Sequence, residues 1–223
     1  ELVLAELSTG STDLDALLEG LRPGDNVVFY TADAAAYLPF IVAVVQHRSQ
    51  TRQPLLYVRS EGAFDTLAGF PGVHVIDLSS VLADVHDPAD VLHRELYRFG
   101  RNAFYLFEPL SSLRSWFGDE AGLQGLFLRI CPSLYQMDSV VYWGIVADTL
   151  HSATITAIKD CTQVFLQVER ADGDLLITPA KVWGRFSPEM FRTHRVNLDH
   201  GLSLEPISEA HEDPDAYAQA LAD

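Results

Sequence analysis

Lysine is almost missing from this chain. Of 223 residues only Lys159 and Lys181 are lysine, so residues 1–158 contain none. Basic residues number 15 against 31 acidic, a formal net charge of −16. Such a surface repels a phosphate backbone, and no local basic cluster offsets it, so nucleic acid is not an expected partner. An anionic membrane surface is disfavoured for the same reason. Cysteine is scarce too: Cys131 and Cys161 are too few for a disulfide scaffold or a thiolate zinc site. Their apolar neighbours predict buried, reduced thiols in a cytoplasmic protein. No run approaches the ~18 uninterrupted apolar residues of a membrane-spanning helix. No basic stretch followed by an apolar core opens the chain, so a signal peptide is not expected. The sequence starts at Glu1 rather than methionine, as expected of a piece cut from something longer.

What is present is enough for one large domain. Hydrophobic residues make up 48% and charged residues 21%, a balance that supports a substantial core. Thr12 and Asp15 mark a helix start, and Leu14, Leu17, Leu18 and Leu21 fall on one helical face. Arg22-Pro23-Gly24-Asp25 closes that segment as a turn. Short apolar runs at 26–30, 55–58, 73–76, 103–107 and 140–145 predict strands buried on both faces. Helices are expected from near Leu38 through 40–45, with Pro39 in the first turn, and over 88–99, 121–130 and 149–158. Two longer strands, 161–170 and 175–182, flank Asp172-Gly173, a hairpin turn signal, and a further strand is expected at 191–196. Alternating strands and helices followed by consecutive strands predict an α/β fold. Its sheet is mostly parallel, with helices on both faces and a C-terminal antiparallel extension. From Glu205 onward six acids, two prolines and no basic residue read as an acidic tail or linker, leaving a domain over 1–204 and a tail over 205–223.

The stretch from Leu7 to Gly24 carries Thr9-Gly10, Leu14-Asp15, Leu17-Leu18, Gly20-Leu21 and Pro23-Gly24. At that spacing it resembles the opening of KaiC-like domains of the RecA superfamily of ATPases, where such a stretch leads into the first phosphate-loop strand. The resemblance implies a RecA-like, P-loop NTPase-like fold. It also implies that the eight residues after the strand stand where a Walker A loop, G-x-x-x-x-G-K-[ST], would be. They are Thr31, Ala32, Asp33, Ala34, Ala35, Ala36, Tyr37 and Leu38. Thr31 and Ala36 replace the glycines that let backbone N–H groups fold around phosphate. Tyr37 replaces the lysine, Leu38 replaces the magnesium-binding hydroxyl, and Asp33 places a negative charge where an anion would sit. No shift of register restores the loop, because no lysine precedes position 159. ATP hydrolysis of the phosphate-loop type is therefore excluded, and no cofactor is expected, with ATP and magnesium as the residual alternative.

Other positions carry the resemblance further. Phe104-Tyr105-Leu106-Phe107-Glu108 is similar to a Walker B strand, and Glu61 to a water-activating glutamate. Lys181-Val182-Trp183-Gly184 resembles the segment with which KaiC-type subunits reach a neighbour, with Trp183 in place of arginine; Lys181 and Trp183 are thereby candidate inter-subunit contacts. Gly20 to Val28, Tyr37 to Phe40, Cys131 to Tyr135, Asp160 to Gln163 and Arg185 to Pro188 together resemble a KaiC-like domain found beside phosphoenolpyruvate synthase or pyruvate, phosphate dikinase modules. That resemblance implies a pseudo-ATPase acting as a regulatory or assembly domain. Its expected partners are a protein or downstream domain, with a homo-oligomer as a further alternative. A second class of function uses Glu61 and Glu108 as acid and base at the sheet edge of a small-molecule enzyme. Asp84, His86, Asp87, Asp90 and His93 crowd one helix start but read as a solvated, acid-stabilised terminus, so no metal site is assigned. Asp148, Thr149 and His151 form a further acid–base cluster, read as a helix cap with His151 in the first turn. Arg185, Phe186, Ser187 and Pro188 read as a turn that fixes the last strand.

Overall fold

The computed structural model describes residues 7–207. Nine strands form one sheet in the order β3-β2-β4-β5-β1-β6-β7-β8-β9. The central strand β1 (Asn26–Thr31) runs parallel to β5 (Val140–Val146) on one side and β6 (Val164–Ala171) on the other. Beyond β5 lie β4 (Phe104–Pro109), β2 (Leu55–Arg59) and β3 (Val73–Asp77), all parallel. Beyond β6 the pairing becomes antiparallel through β7 (Asp174–Val182), β8 (His194–Asn197) and β9 (Ser203–Pro206). The β6–β7 turn is Asp172-Gly173, both at positive φ (51° and 88°), as a two-residue type I′ hairpin requires. The α/β sheet with its antiparallel C-terminal extension is as the sequence pattern requires.

Seven α-helices cover the two faces among the described residues: α1 (Thr12–Leu18), α2 (Ala34–Gln50), α3 (Leu78–Val81), α4 (Pro88–Arg98), α5 (Leu110–Phe117), α6 (Glu120–Gln136) and α7 (Ser152–Cys161). Alternation along the strands sends Val27 and Phe29 to one core, with Leu17, Tyr37, Phe40 and Val44 of α1 and α2. Val28, Phe107 and Trp143 enter the opposite core with Leu123 and Phe127 of α6 and Ile158 of α7. There Phe107 and Trp143 stack with ring centroids 4.0 Å apart. Phe29, Tyr37, Phe40, Tyr142 and Trp143 are buried in these cores, whereas Tyr30, Trp116 and Phe117 pack at the margin.

Several boundaries differ from the sequence pattern. Ser11, not Thr12, caps α1, its hydroxyl accepting from Leu14 N at 3.3 Å; Asp15 turns back to accept from Thr9 N at 2.7 Å. Helix α2 starts at Ala34, four residues before the expected position, and α6 continues through Pro132 to Gln136. Helix α5 was not expected. Glu205 and Pro206, expected to begin a tail, pair with β8 as the edge strand β9. The remainder of the expected tail, 208–223, lies outside the described residues.

The Arg185 turn is anchored at the base of β1. The Arg185 guanidinium, wholly buried, makes two bonds of 2.9 Å to the Asp25 carboxylate and one of 2.6 Å to Gly20 O. Ser187 Oγ donates to Leu17 O at 2.8 Å. This turn was expected to fix the last strand; its side chains instead fasten the segment between β7 and β8 to the α1–β1 connection. Burial pushes the Asp25 carboxyl up, against the opposing pull of Arg185.

Candidate functional site

In an open parallel sheet, ligands bind beyond the carboxyl ends of the strands, where the order reverses around the central strand. Here that place is the end of β1, between β5 and β6. The chain leaves β1 at Thr31 and enters α2 at Ala34, so only Ala32 and Asp33 connect them. Even Ala32 is tied to the sheet, donating to Val168 O at 3.0 Å, while Thr31 O accepts from Ala147 N at 2.8 Å. Of the eight positions singled out in sequence, Thr31 ends the strand and Ala34, Ala35, Ala36, Tyr37 and Leu38 form the first turns of the helix. No loop remains to curl around an anion.

The helix N-terminus is already occupied by the chain's own carboxylate. Asp33 caps α2, its Oδ1 accepting from Ala36 N at 2.7 Å, and its Oδ2 receives Arg170 Nε at 2.8 Å. The Arg170 bond, reinforced by the Ala36 amide, holds the Asp33 carboxyl below the usual range. Nothing in the sequence pattern pairs Arg170 with Asp33; only the parallel β1–β6 neighbourhood brings them together.

Tyr37 sits behind this cap with no solvent exposure. Its ring lies 5.3 Å from that of Phe29 and 5.9 Å from that of Phe64, and its hydroxyl donates to Phe107 O at 3.3 Å. Burial pushes the phenol well up, so it stays neutral. Gly144 of β5 makes the space: a Cβ there would lie 2.7 Å from the Tyr37 ring. Tyr37, in the position of the lysine of the resembling loop, stands inside the core. Leu38 is half-buried and lines a shallow apolar groove with Pro39, Val42, Leu198 and Leu202.

The two glutamates have separate fates. Glu108, in the penultimate position of β4, is fully buried. It accepts from Tyr57 Oη, from Ser60 N at 3.0 Å and from Glu61 N at 2.8 Å. Burial and the bond to Glu108 push the Tyr57 phenol above its ordinary value. Glu108 thus pins the loop after β2, and Trp116 Nε1 and Ser60 Oγ extend the network to α5, the indole donating to Ser60 and Ser60 to Ser112 O. Glu61 meets Glu108 through its backbone and is itself exposed. The structure therefore does not bring the two carboxylates together over a shared cavity.

Lys181 lies elsewhere. Its ammonium donates to Lys159 O at 2.7 Å and Asp160 O at 3.0 Å, capping the C-terminus of α7 in its own chain. Trp183 is 58% exposed and meets the edge of Tyr135, and Phe186 nearby in sequence is 81% exposed. Asp90 pairs with Arg94 and Arg129, and His93 with Ser133 Oγ at 2.9 Å, so these groups point to different partners. No group of three potential metal ligands occurs among the described residues. His151 is held by Glu120 rather than by Asp148 or Thr149, with Nδ1 at 2.6 Å from Oε2.

This architecture is the RecA-like fold. It is similar to the solved structure of a KaiC-like protein, PH0186, from the hyperthermophilic archaeon Pyrococcus horikoshii, at a TM-score of 0.71. The likeness covers 91% of this chain and 99% of that one at 13% sequence identity. No protein-family profile matches the chain, and no curated protein matches it in sequence. Among the described residues no helix is long and apolar enough to cross a membrane.

Proposed function

We propose that this chain is a non-hydrolysing, KaiC-like pseudo-ATPase whose phosphate loop has degenerated, and that it acts as a cytoplasmic regulatory or assembly domain. The observation that carries the reading is the two-residue connection between β1 and α2, with Asp33 filling the helix terminus and Tyr37 the space behind it. A nucleotide triphosphate would meet a carboxylate where its β- and γ-phosphates need N–H groups and a lysine. Glu108, which would hold magnesium in a working relative, has its oxygens engaged by three donors of its own chain.

Contact with other proteins is then the remaining use of the scaffold. The exposed Trp183 and Phe186, on a segment anchored by Lys181 and Arg185, support a docking face for a second copy or a downstream partner. The resemblance of the sequence blocks favours a partner in phosphoenolpyruvate or pyruvate metabolism. No nucleotide, metal, nucleic acid or membrane enters this role. The enzymatic alternative, with Glu61 and Glu108 as acid and base, gains no support from a Glu108 that is sealed and a Glu61 that faces solvent. The test is steady-state phosphate release from saturating ATP–Mg²⁺. The expected rate equals that of a protein-free blank; sustained release abolished by Glu61→Gln would overturn the reading.

A further inference from the structure

Cys131 and Cys161 take no part in the proposal above, yet the fold sets them side by side. Cys131 lies in α6 and is completely buried; Cys161 is the last residue of α7 and is partly exposed, contrary to the expectation that both are sequestered. Cys131 Sγ donates to the carbonyl oxygen of Cys161 at 3.5 Å, which brings the two cysteines of α6 and α7 together. The Lys181 ammonium is anchored on the same helix end through the carbonyls of Lys159 and Asp160. One thiol is thus partly exposed at a helix end that also anchors a cation, and a second, buried thiol donates to the carbonyl of the same residue.

The chemistry of the two sulfurs diverges accordingly. The neighbouring Cys131 thiol, aided by the Lys181 charge, brings the Cys161 thiol down to about 7. The neighbouring Cys161 thiol and burial push the Cys131 thiol far up. Reactivity toward oxidants follows thiolate character and access, and a nearby second thiol turns oxidation into disulfide formation.

We propose that Cys161 is a peroxide-reactive modification site and that Cys131 is its resolving partner, giving a reversible disulfide between α6 and α7. The Cys161 thiolate attacks one oxygen of hydrogen peroxide. The O–O bond breaks, hydroxide leaves, and the sulfur becomes a sulfenic acid while the peroxide is reduced by two electrons. The Cys131 thiol then attacks the sulfenic sulfur. The S–S bond forms, the S–O bond breaks, and the departing hydroxyl takes the Cys131 proton away as water. A dithiol reductant reverses the result by exchange, returning both thiols. Because Cys131 Sγ already lies 3.5 Å from the Cys161 carbonyl oxygen, closing a sulfur–sulfur bond of about 2 Å asks for a local adjustment at the end of α7.

The experiment treats the full chain with one equivalent of hydrogen peroxide at neutral pH, then denatures it, alkylates with iodoacetamide and records the intact mass. The expected product is lighter by two hydrogens and carries no alkyl group. A non-reducing digest should link the Cys131 and Cys161 peptides, and dithiothreitol should restore two alkylated cysteines. In Cys131→Ser, dimedone should capture a sulfenic acid at Cys161. Two freely alkylated cysteines after peroxide, dimedone on Cys131 in the wild type, or links only between chains would each overturn the proposal. If the serine variant does not fold, the wild-type linked peptide decides the matter alone.

Discussion

Tyr37 is the residue on which the candidate site turns. A large, neutral, fully buried side chain stands where the resembling loop has lysine, and its hydroxyl is satisfied by Phe107 O. Truncation to alanine should cost about 3–5 kcal/mol, as aromatic deletions in a tight core do, and chemical denaturation would measure it. Tyr37→Lys should lower the melting temperature as well, because it drives a charge into that core, and it should not create ATP binding. A Tyr37→Lys protein of unchanged stability would place the side chain at the surface instead. The missing lysine was plain in the sequence, and so was the awkward Asp33. The partners that make those substitutions coherent were not. Gly144 yields room for the ring across a β-bulge, and Arg170 reaches Asp33 from a strand 137 residues away. Both depend on strand neighbours that no local pattern specifies.

At the scale of elements, most strands were legible because continuous apolar runs have one good home in a parallel sheet. The helices were harder where proline occurs. Pro39 was expected in the first turn of its helix and the helix over 121–130 to stop short of Pro132, yet α2 starts at Ala34 and α6 runs on through Pro132. In each case the carbonyl that loses its partner belongs to an exposed residue, Ala35 or Leu128, where water can replace the bond. Helix α5 was missed because Leu110–Phe117 has only eight residues and follows β4 without a break. The ends of α6 and α7 are tied by Glu120, whose carboxylate receives His151 N at 2.7 Å. The Thr154 hydroxyl, with the His151 backbone and ring, lowers the Glu120 carboxyl to about 2. A depressed folded value stabilises the native state above the unfolded-chain value, about 4.3, and this contribution is lost as pH falls toward 2. Thermal unfolding from pH 5 to pH 2 should therefore show wild type and Glu120→Gln converging as the acid end is approached. A constant gap between them would contradict the assignment.

The whole molecule combines a complete RecA-like sheet with an excess of acidic residues and a β1–α2 connection closed by its own side chains. Its layer order was legible, since alternating elements followed by consecutive strands leave few topologies. The last strand was not, because Ser203–Pro206 is short and exposed, and its acid and proline imitate a linker. If Trp183 and Phe186 form a docking face for a second copy, the wild type should sediment as a multiple of the 24.7 kDa chain, and Phe186→Asp should shift it to the single chain. A wild-type monomer at high concentration would leave that face to a different protein and contradict self-association. Isothermal titration with ATP–Mg²⁺ reads out whether the end of β1 is closed to nucleotide. No heat of binding is predicted at protein concentrations of about 0.1 mM, where micromolar affinities register clearly. Saturable micromolar binding accompanied by hydrolysis would contradict the account.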